Sequence, residues 1–227
     1  MSRIASLLQE KFILIASLPE NRVDLAKAAE AGGADAMKVH CNVAHFASGT
    51  TFGSFEQERP VFEQILSAIK VPLGLVPGDD KTCCSADEMR VARGLGFDFW
   101  DIFWHHCPLY LFDVEDMGRM MAVDSSFTSE RVGFLSRRID LVEGSVIPQS
   151  GYRQPVRAAD LTVYQQLCMA AECPVAIPTQ RAVRPDEVWH LERSGARGVV
   201  IGAVVTGHDA KEFEQTTRRF REAIDRL

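Results

Sequence analysis

Arg197-Gly198-Val199-Val200-Ile201-Gly202-Ala203 is a short apolar run closed by a glycine and an alanine, and a helical pattern follows it. Just upstream, Pro174-Val175-Ala176-Ile177-Pro178-Thr179-Gln180 leads into Pro185-Asp186-Glu187-Val188, a second strand-turn-helix unit of the same kind. Apolar strands in succession, each followed by a helix, read as parallel strands buried on both faces. In a closed β/α barrel the loops after the last two strands commonly hold a phosphate on backbone N–H groups and a helix N-terminus. Gly202 and Ala203 are the anion-binding positions this predicts.

The same alternation extends outward through the chain. Residues 12–16 read as a first strand, 22–31 as a helix rich in Ala, Leu, Lys and Glu, and Gly32-Gly33 as its stop. Residues 34–39, 71–76, 97–104, 121–123 and 140–147 supply strands two to six. Helices are predicted over 60–69, 85–95, 109–121, 128–138, 158–172 and 210–226. The one at 85 opens on Ser85 with Glu88 three residues on, the pattern of a capping box. Eight units of nearly even spacing predict a single-domain (β/α)8 TIM barrel over residues 1–227. A doubly wound sheet is the competing arrangement, but no G-x-G-x-x-G follows the first strand to admit a dinucleotide pyrophosphate.

Composition narrows the function classes. Of 227 residues, 46% are hydrophobic and 25% charged, the balance of an ordinary globular domain. A net charge of −6 opposes the counterion release that drives nucleic-acid binding. No run approaches the ~18 apolar residues of a membrane helix, and the opening residues lack the apolar core of a signal peptide. A cytoplasmic protein with neither membrane nor nucleic-acid partner is expected. The six cysteines, at 41, 83, 84, 107, 168 and 173, read as reduced and mostly as small buried apolar residues. Cys83 and Cys84 are adjacent, which is poor spacing for a shared zinc.

The candidate chemistry lies at the C-terminal ends of the strands, where barrel active sites form. Lys38 and His40 close strand two and share one side of it. Facing inward, they would hold an anion and move a proton, since a lysine inside a buried strand is expensive without such a purpose; the other reading is a rim lysine and a hydrogen-bonded histidine. Strand four offers Asp98, Asp101, His105 and His106, with Asp101 and His105 as a base and its orienting partner or as anchors of a wall formed by Phe99 and Phe103. Asp124 after strand five is a catalytic carboxylate or the N-cap of the next helix. Glu143, within the apolar run of strand six, serves acid/base work or an ion pair with Lys38 across the barrel. Asp79 and Asp80 read as a solvated turn. The loop from His45 to Gly53 has the glycines and hydroxyls of a lid, or is an ordinary surface loop. No pair of these residues has a spacing that forces convergence on a metal, so neither metal nor cofactor is expected.

In this order of motifs the chain resembles the N-acetylmannosamine-6-phosphate 2-epimerases of the ribulose-phosphate-binding barrels. Gly33-Ala34-Asp35-Ala36-Met37-Lys38-Val39-His40 looks like that family's strand two, with Lys38 in place of an arginine. Val71-Pro72-Leu73-Gly74-Leu75-Val76 resembles its strand three, and Ala122-Val123-Asp124-Ser125-Ser126 its strand five. Ser150, Gly151 and Tyr152 repeat the family's Ser-Gly-Tyr, and Arg181 and residues 199–206 resemble its phosphate loops. The resemblance implies binding of a phosphorylated sugar, with Ser150, Gly151, Tyr152, Thr179, Gln180, Arg181, Gly202 and Ala203 around it, and epimerase or isomerase chemistry. The chain departs from the family where Pro77-Gly78-Asp79 replaces a lysine, Pro178-Thr179-Gln180 replaces a glutamate, and Phe103 replaces an aspartate. Two other readings therefore stand beside it: a lyase or aldolase using Lys38 as a Schiff base, and a barrel that binds a phosphate ligand without catalysis. The implied partner is a small phosphorylated substrate, with a homodimer as the assembly to look for.

Overall fold

The computed structural model describes residues 2–227. Its strands are β1 Ile13–Ser17, β2 Ala36–His40, β3 Leu73–Val76, β4 Phe99–Phe103, β5 Gly118–Val123, β6 Leu141–Gly144, β7 Val175–Pro178 and β8 Gly198–Ile201. They pair in chain order, all parallel, and β8 returns to β1 to close the barrel. The helices are α1 Arg3–Glu10, α2 Val23–Ala31, α3 Phe55–Ala68, α4 Ala86–Leu95, α5 Ser129–Ser136, α6 Ala158–Ala170, α7 Val188–Arg193, α8 Ala203–Thr206 and α9 Ala210–Ile224. The closed (β/α)8 architecture that the strand spacing predicts is the one the chain forms.

Local chemistry sets the helix starts. Ser85 and Glu88 form the capping box in front of α4, and Ser54 with Gln57 forms a second one in front of α3. That second box recruits residues ahead of Pro60, so α3 begins at Phe55 rather than at the proline.

The segment 109–121 departs from its predicted helix. Only Leu109–Asp113 coils, as a short 3-10 turn, and Asp116 then adopts a left-handed conformation with φ 58°. β5 starts at Gly118 and pairs along all of β4, from Phe99↔Gly118 to Phe103↔Ala122. The stretch 109–121 has apolar residues at helical spacing, but a full ladder of backbone hydrogen bonds outweighs that local preference. The His45 loop is likewise structured, with Ala44–His45 antiparallel to Thr50–Thr51.

Inside the barrel, Ile13, Ile15, Ala36, Phe99, Met120, Leu141, Ala176 and Val200 form an apolar cluster. Helix α1, absent from the sequence reading, plugs its N-terminal end with Ile4 and Leu8. Asp98 holds that plug by accepting hydrogen bonds from the Arg3 and Ile4 amides, both at 2.9 Å. Asp98 is thus a cap for a helix terminus at the closed end of the barrel. The cluster needs a gap beside Phe99, and Gly74 supplies it: a Cβ there would lie 2.2 Å from the Phe99 ring.

Gly74→Ala should therefore lower stability by about 1–3 kcal/mol, the usual range for overpacking a closed core. The urea unfolding midpoint measures this, and an unchanged midpoint would mean that Phe99 can turn aside.

Candidate functional site

Above the apolar cluster, a cavity of about 490 Å³ opens at the C-terminal ends of the strands. Its floor is built by alternate strands, whose inward positions lie at one level of a barrel. Lys38 comes from β2, Asp101 from β4 and Glu143 from β6. The Lys38 ammonium donates to Asp101 Oδ2 at 2.5 Å and to Glu143 Oε2. All three residues are buried, at 5%, 3% and 5% exposure.

Two carboxylates facing one cation in a dry layer leave a surplus negative charge. Burial, and then the charge of Asp101, push the Glu143 carboxyl up to about 8, with Lys38 only partly offsetting them. Burial and the second carboxylate thus favour the protonated form of Glu143 in this layer. Burial alone would also discharge Lys38, but the facing carboxylates outweigh it and raise its pKa. Ser145 donates to the other Glu143 oxygen at 3.2 Å.

His40, two residues past Lys38, rises from the same side of β2. Its Nε2 lies 3.5 Å from Ser17 Oγ, and its ring packs on Phe52 at 4.8 Å and on His45 at 4.6 Å. Burial first, then His45 and Lys38, hold His40 well below the ordinary imidazole range. Burial and Lys38 lower His45 to about 4. Both rings are neutral at physiological pH. Two buried atoms in this group, His40 Nδ1 and Asp101 Oδ1, have no hydrogen-bond partner.

The rim differs from its sequence reading in two places. Asp101 is taken by Lys38 and is not the partner of His105. The chain has left the strand by then, and His105 Nδ1 instead lies 4.0 Å from Asp124 Oδ2. Nor is Asp124 the cap of α5, a role that Thr128 fills. Asp124 Oδ1 accepts from Ser126 N, Ser126 Oγ and the Trp104 indole, which leaves Oδ2 turned to His105. Asp79 also lines the cavity, although its Oδ1 is held in a turn by Lys81 and Thr82.

Of the residues assigned to phosphate, Tyr152, Thr179, Gln180, Gly202 and Ala203 line the cavity, whereas Ser150, Gly151 and Arg181 do not. Arg181 turns behind the loop, where its guanidinium donates to buried Asp160 at 2.8 Å and to the Gly151 carbonyl at 2.9 Å. Gln180 donates to Tyr152 Oη at 2.7 Å and accepts from Ile147 N at 3.0 Å, so it ties the loop after β6 to that after β7. The Gly202 amide donates to Thr179 Oγ1 at 3.2 Å. Ser17 and Ser145 also face the cavity and were missed from sequence. The signal for Ser17 was present: it continues the two-residue period of Ile13 and Ile15, one step past where strand one was ended. No group of three or more His, Cys, Asp or Glu side chains among the described residues is arranged to hold a metal ion. No described helix is long and apolar enough to cross a membrane.

Fold and site together define the class: a (β/α)8 barrel with a pocket at the C-terminal mouth whose walls are largely apolar and whose floor is charged. No family model matches the sequence, and no curated protein matches it. Among solved structures, it is similar to the tryptophan synthase alpha chain from Legionella pneumophila subsp. pneumophila, at 12% identity over 100% of this chain and 98% of that one, with a TM-score of 0.75. It is similar to tryptophan synthase from M. tuberculosis at 14% identity over 98% of each chain, TM-score 0.74. Thiamine phosphate pyrophosphorylase from Pyrococcus furiosus aligns at 14% identity over 96% of this chain and 98% of that one, TM-score 0.68. Likeness at these identities is likeness of fold.

Glu143 binds its proton more tightly in the folded chain than in the unfolded one, where a glutamate titrates near 4.5. The stability this contributes is complete below that value and is lost as pH rises through about 8. Urea midpoints should fall between about pH 5 and pH 9 in the wild type, and Glu143→Gln should flatten that slope. Equal slopes would mean that Glu143 is already ionised at the acidic end.

Proposed function

We propose that the protein is an enzyme that removes and returns a proton beside the carbonyl of a small phosphorylated substrate, as an epimerase or isomerase does. The observation that carries this reading is Glu143, lifted to about 8 beside the Lys38 ammonium on the floor of an open cavity. A carboxyl poised near neutral pH serves as base when ionised and as acid when protonated. The Lys38 ammonium supports the negative charge that develops on the carbonyl oxygen as the C–H bond breaks. His40, neutral and lining the cavity beside Lys38, is the candidate on the opposite face: its N–H goes to the carbanion, and the ring then retakes the proton that Glu143 removed, so that the protons balance over the cycle. Asp101 keeps Lys38 charged, and Asp124 with His105 stands at the rim for substrate hydroxyls.

The substrate phosphate belongs on the β7–β8–β1 side. The first amides of α8, at Ala203 and Val204, have no carbonyl one turn back to bond, and the Ser17 and Thr179 hydroxyls lie alongside. No arginine lines the cavity and its one lysine is paired, so the phosphate is held by neutral donors. Binding energy from this unreactive end orients the carbon centre over the floor.

A Schiff base on Lys38 is the weaker reading. Such a lysine must shed its proton, and the neighbouring Asp101 and Glu143 raise its pKa instead. A barrel that only bound phosphate would gain nothing from a buried ionic layer, since apolar replacements are often at least as stable.

Proton NMR in D₂O with a panel of sugar phosphates, starting with N-acetylmannosamine 6-phosphate, should show loss of the proton next to the carbonyl carbon. Glu143→Gln should slow that exchange by about 10²–10⁴-fold. A substrate that binds but exchanges no proton, or borohydride trapping on Lys38, would sink the proposal. For the phosphate end, Gly202→Asp should abolish binding with the fold intact, because a Cβ there comes no closer than 3.5 Å to its nearest neighbour, Ser17. Unchanged binding would rule out that loop.

A further inference from the structure

Strand β2 turns its peptide groups alternately to its two neighbours. Those of Met37 and Cys41 face β3, where their amides donate to the Pro72 and Val76 carbonyls at 2.9 and 3.0 Å. Those of Lys38 and His40 face β1, and the Lys38 carbonyl accepts from the Leu18 amide at 3.0 Å. By the level of His40 that neighbour has ended: β1 stops at Ser17, and the chain bends at Pro19 and Glu20. A side chain takes the place of the missing peptide. Asn21 Oδ1 accepts from the His40 amide at 3.2 Å, and Asn21 Nδ2 donates to the His40 carbonyl at 2.7 Å. The second hydrogen of Nδ2 goes to Glu58 Oε2 at 2.9 Å, near the start of α3, while Glu58 Oε1 accepts from the Gly53 amide at 2.8 Å. Gly53 follows Phe52, the buried ring stacked on His40. One pair of side chains thus holds both the His40 backbone and the segment that carries its stacking partner.

A working imidazole is commonly aimed by a hydrogen bond from its second nitrogen to a carboxylate or carbonyl. His40 has no such bond. Among the described residues its ring reaches only the Ser17 hydroxyl, at 3.5 Å, and Nδ1 bonds nothing. Its aim therefore comes from the backbone and from Phe52, and Asn21 with Glu58 restrains both. We propose that Asn21 and Glu58 are positioning residues that hold the His40 ring over the substrate face opposite Glu143, an inference resting on the reading of His40 as the proton donor. Neither residue lines the cavity, so each acts through His40.

Proton NMR in D₂O separates the two proton transfers. Deuterium returned from Glu143 appears in the recovered substrate, and deuterium delivered by His40 appears in the inverted product. With a sugar phosphate that the wild type exchanges, Asn21→Ala and Asn21→Asp should lower the ratio of inversion to exchange by about 10- to 100-fold, since a reacting group misplaced by about 1 Å costs on the order of 10²-fold. Asn21→Asp keeps the shape of the side chain but sets a carboxylate oxygen against the His40 carbonyl and Glu58. A merely destabilised protein would lose both signals in proportion, and circular dichroism checks that each variant is folded. In the free protein, the ring nitrogen-15 signals of His40 should broaden in both variants while those of His190, on α7, stay sharp. An unchanged ratio, or an unchanged His40 signal, overturns the inference and leaves the reading of the site standing. A wild type that exchanges no proton with any sugar phosphate overturns that reading, and the inference with it.

Discussion

A charge inside a closed β barrel has no water to turn to, so Lys38 must take its partners from the strands around it. It finds Asp101 and Glu143, both buried with it in the same layer. One ammonium against two carboxylates leaves an excess charge that a dry interior resists, and the economical remedy is a proton on Glu143. The same constraint that stabilises the layer therefore leaves a titratable carboxyl at the base of the pocket. Structure and reactivity here have one electrostatic origin.

The layers above and below depend on that arrangement. Beneath it the barrel is wholly apolar, with Phe99 admitted by Gly74 and the end closed by Ile4 and Leu8 of α1. That packing excludes water from the floor and is what makes the carboxyl titrate high. Above it, burial first and then the field of Lys38 keep His40 and His45 neutral. The pocket thus grades from an ionic floor, through neutral imidazoles and hydroxyls, to a rim bearing Asp79, Asp124 and His105.

Much of the fold was legible because it rests on local periods. Apolar runs of four to six residues, separated by helices with evident starts such as Ser85–Glu88, place eight strands in order. Strand parity put Lys38 and His40 on one side, and the cost of burying Glu143 in an apolar strand pointed to a partner such as Lys38. Where two local signals overlapped the reading failed: residues 109–121 have helical spacing, and only the β4 ladder decides for β5. Helix α1 was missed because its value lies in the open barrel end it fills.

The sequence by itself determined the order of the strands and which stretches bury apolar residues, since alternation along a strand and periodicity along a helix are properties of neighbouring residues. It left undecided who meets whom across the barrel. Closure and stagger bring Asp101 to Lys38, send His105 to Asp124, and turn Arg181 away from the cavity to Asp160. Those pairings join residues between 19 and 63 positions apart in the chain, and only the closed sheet sets the distances between them.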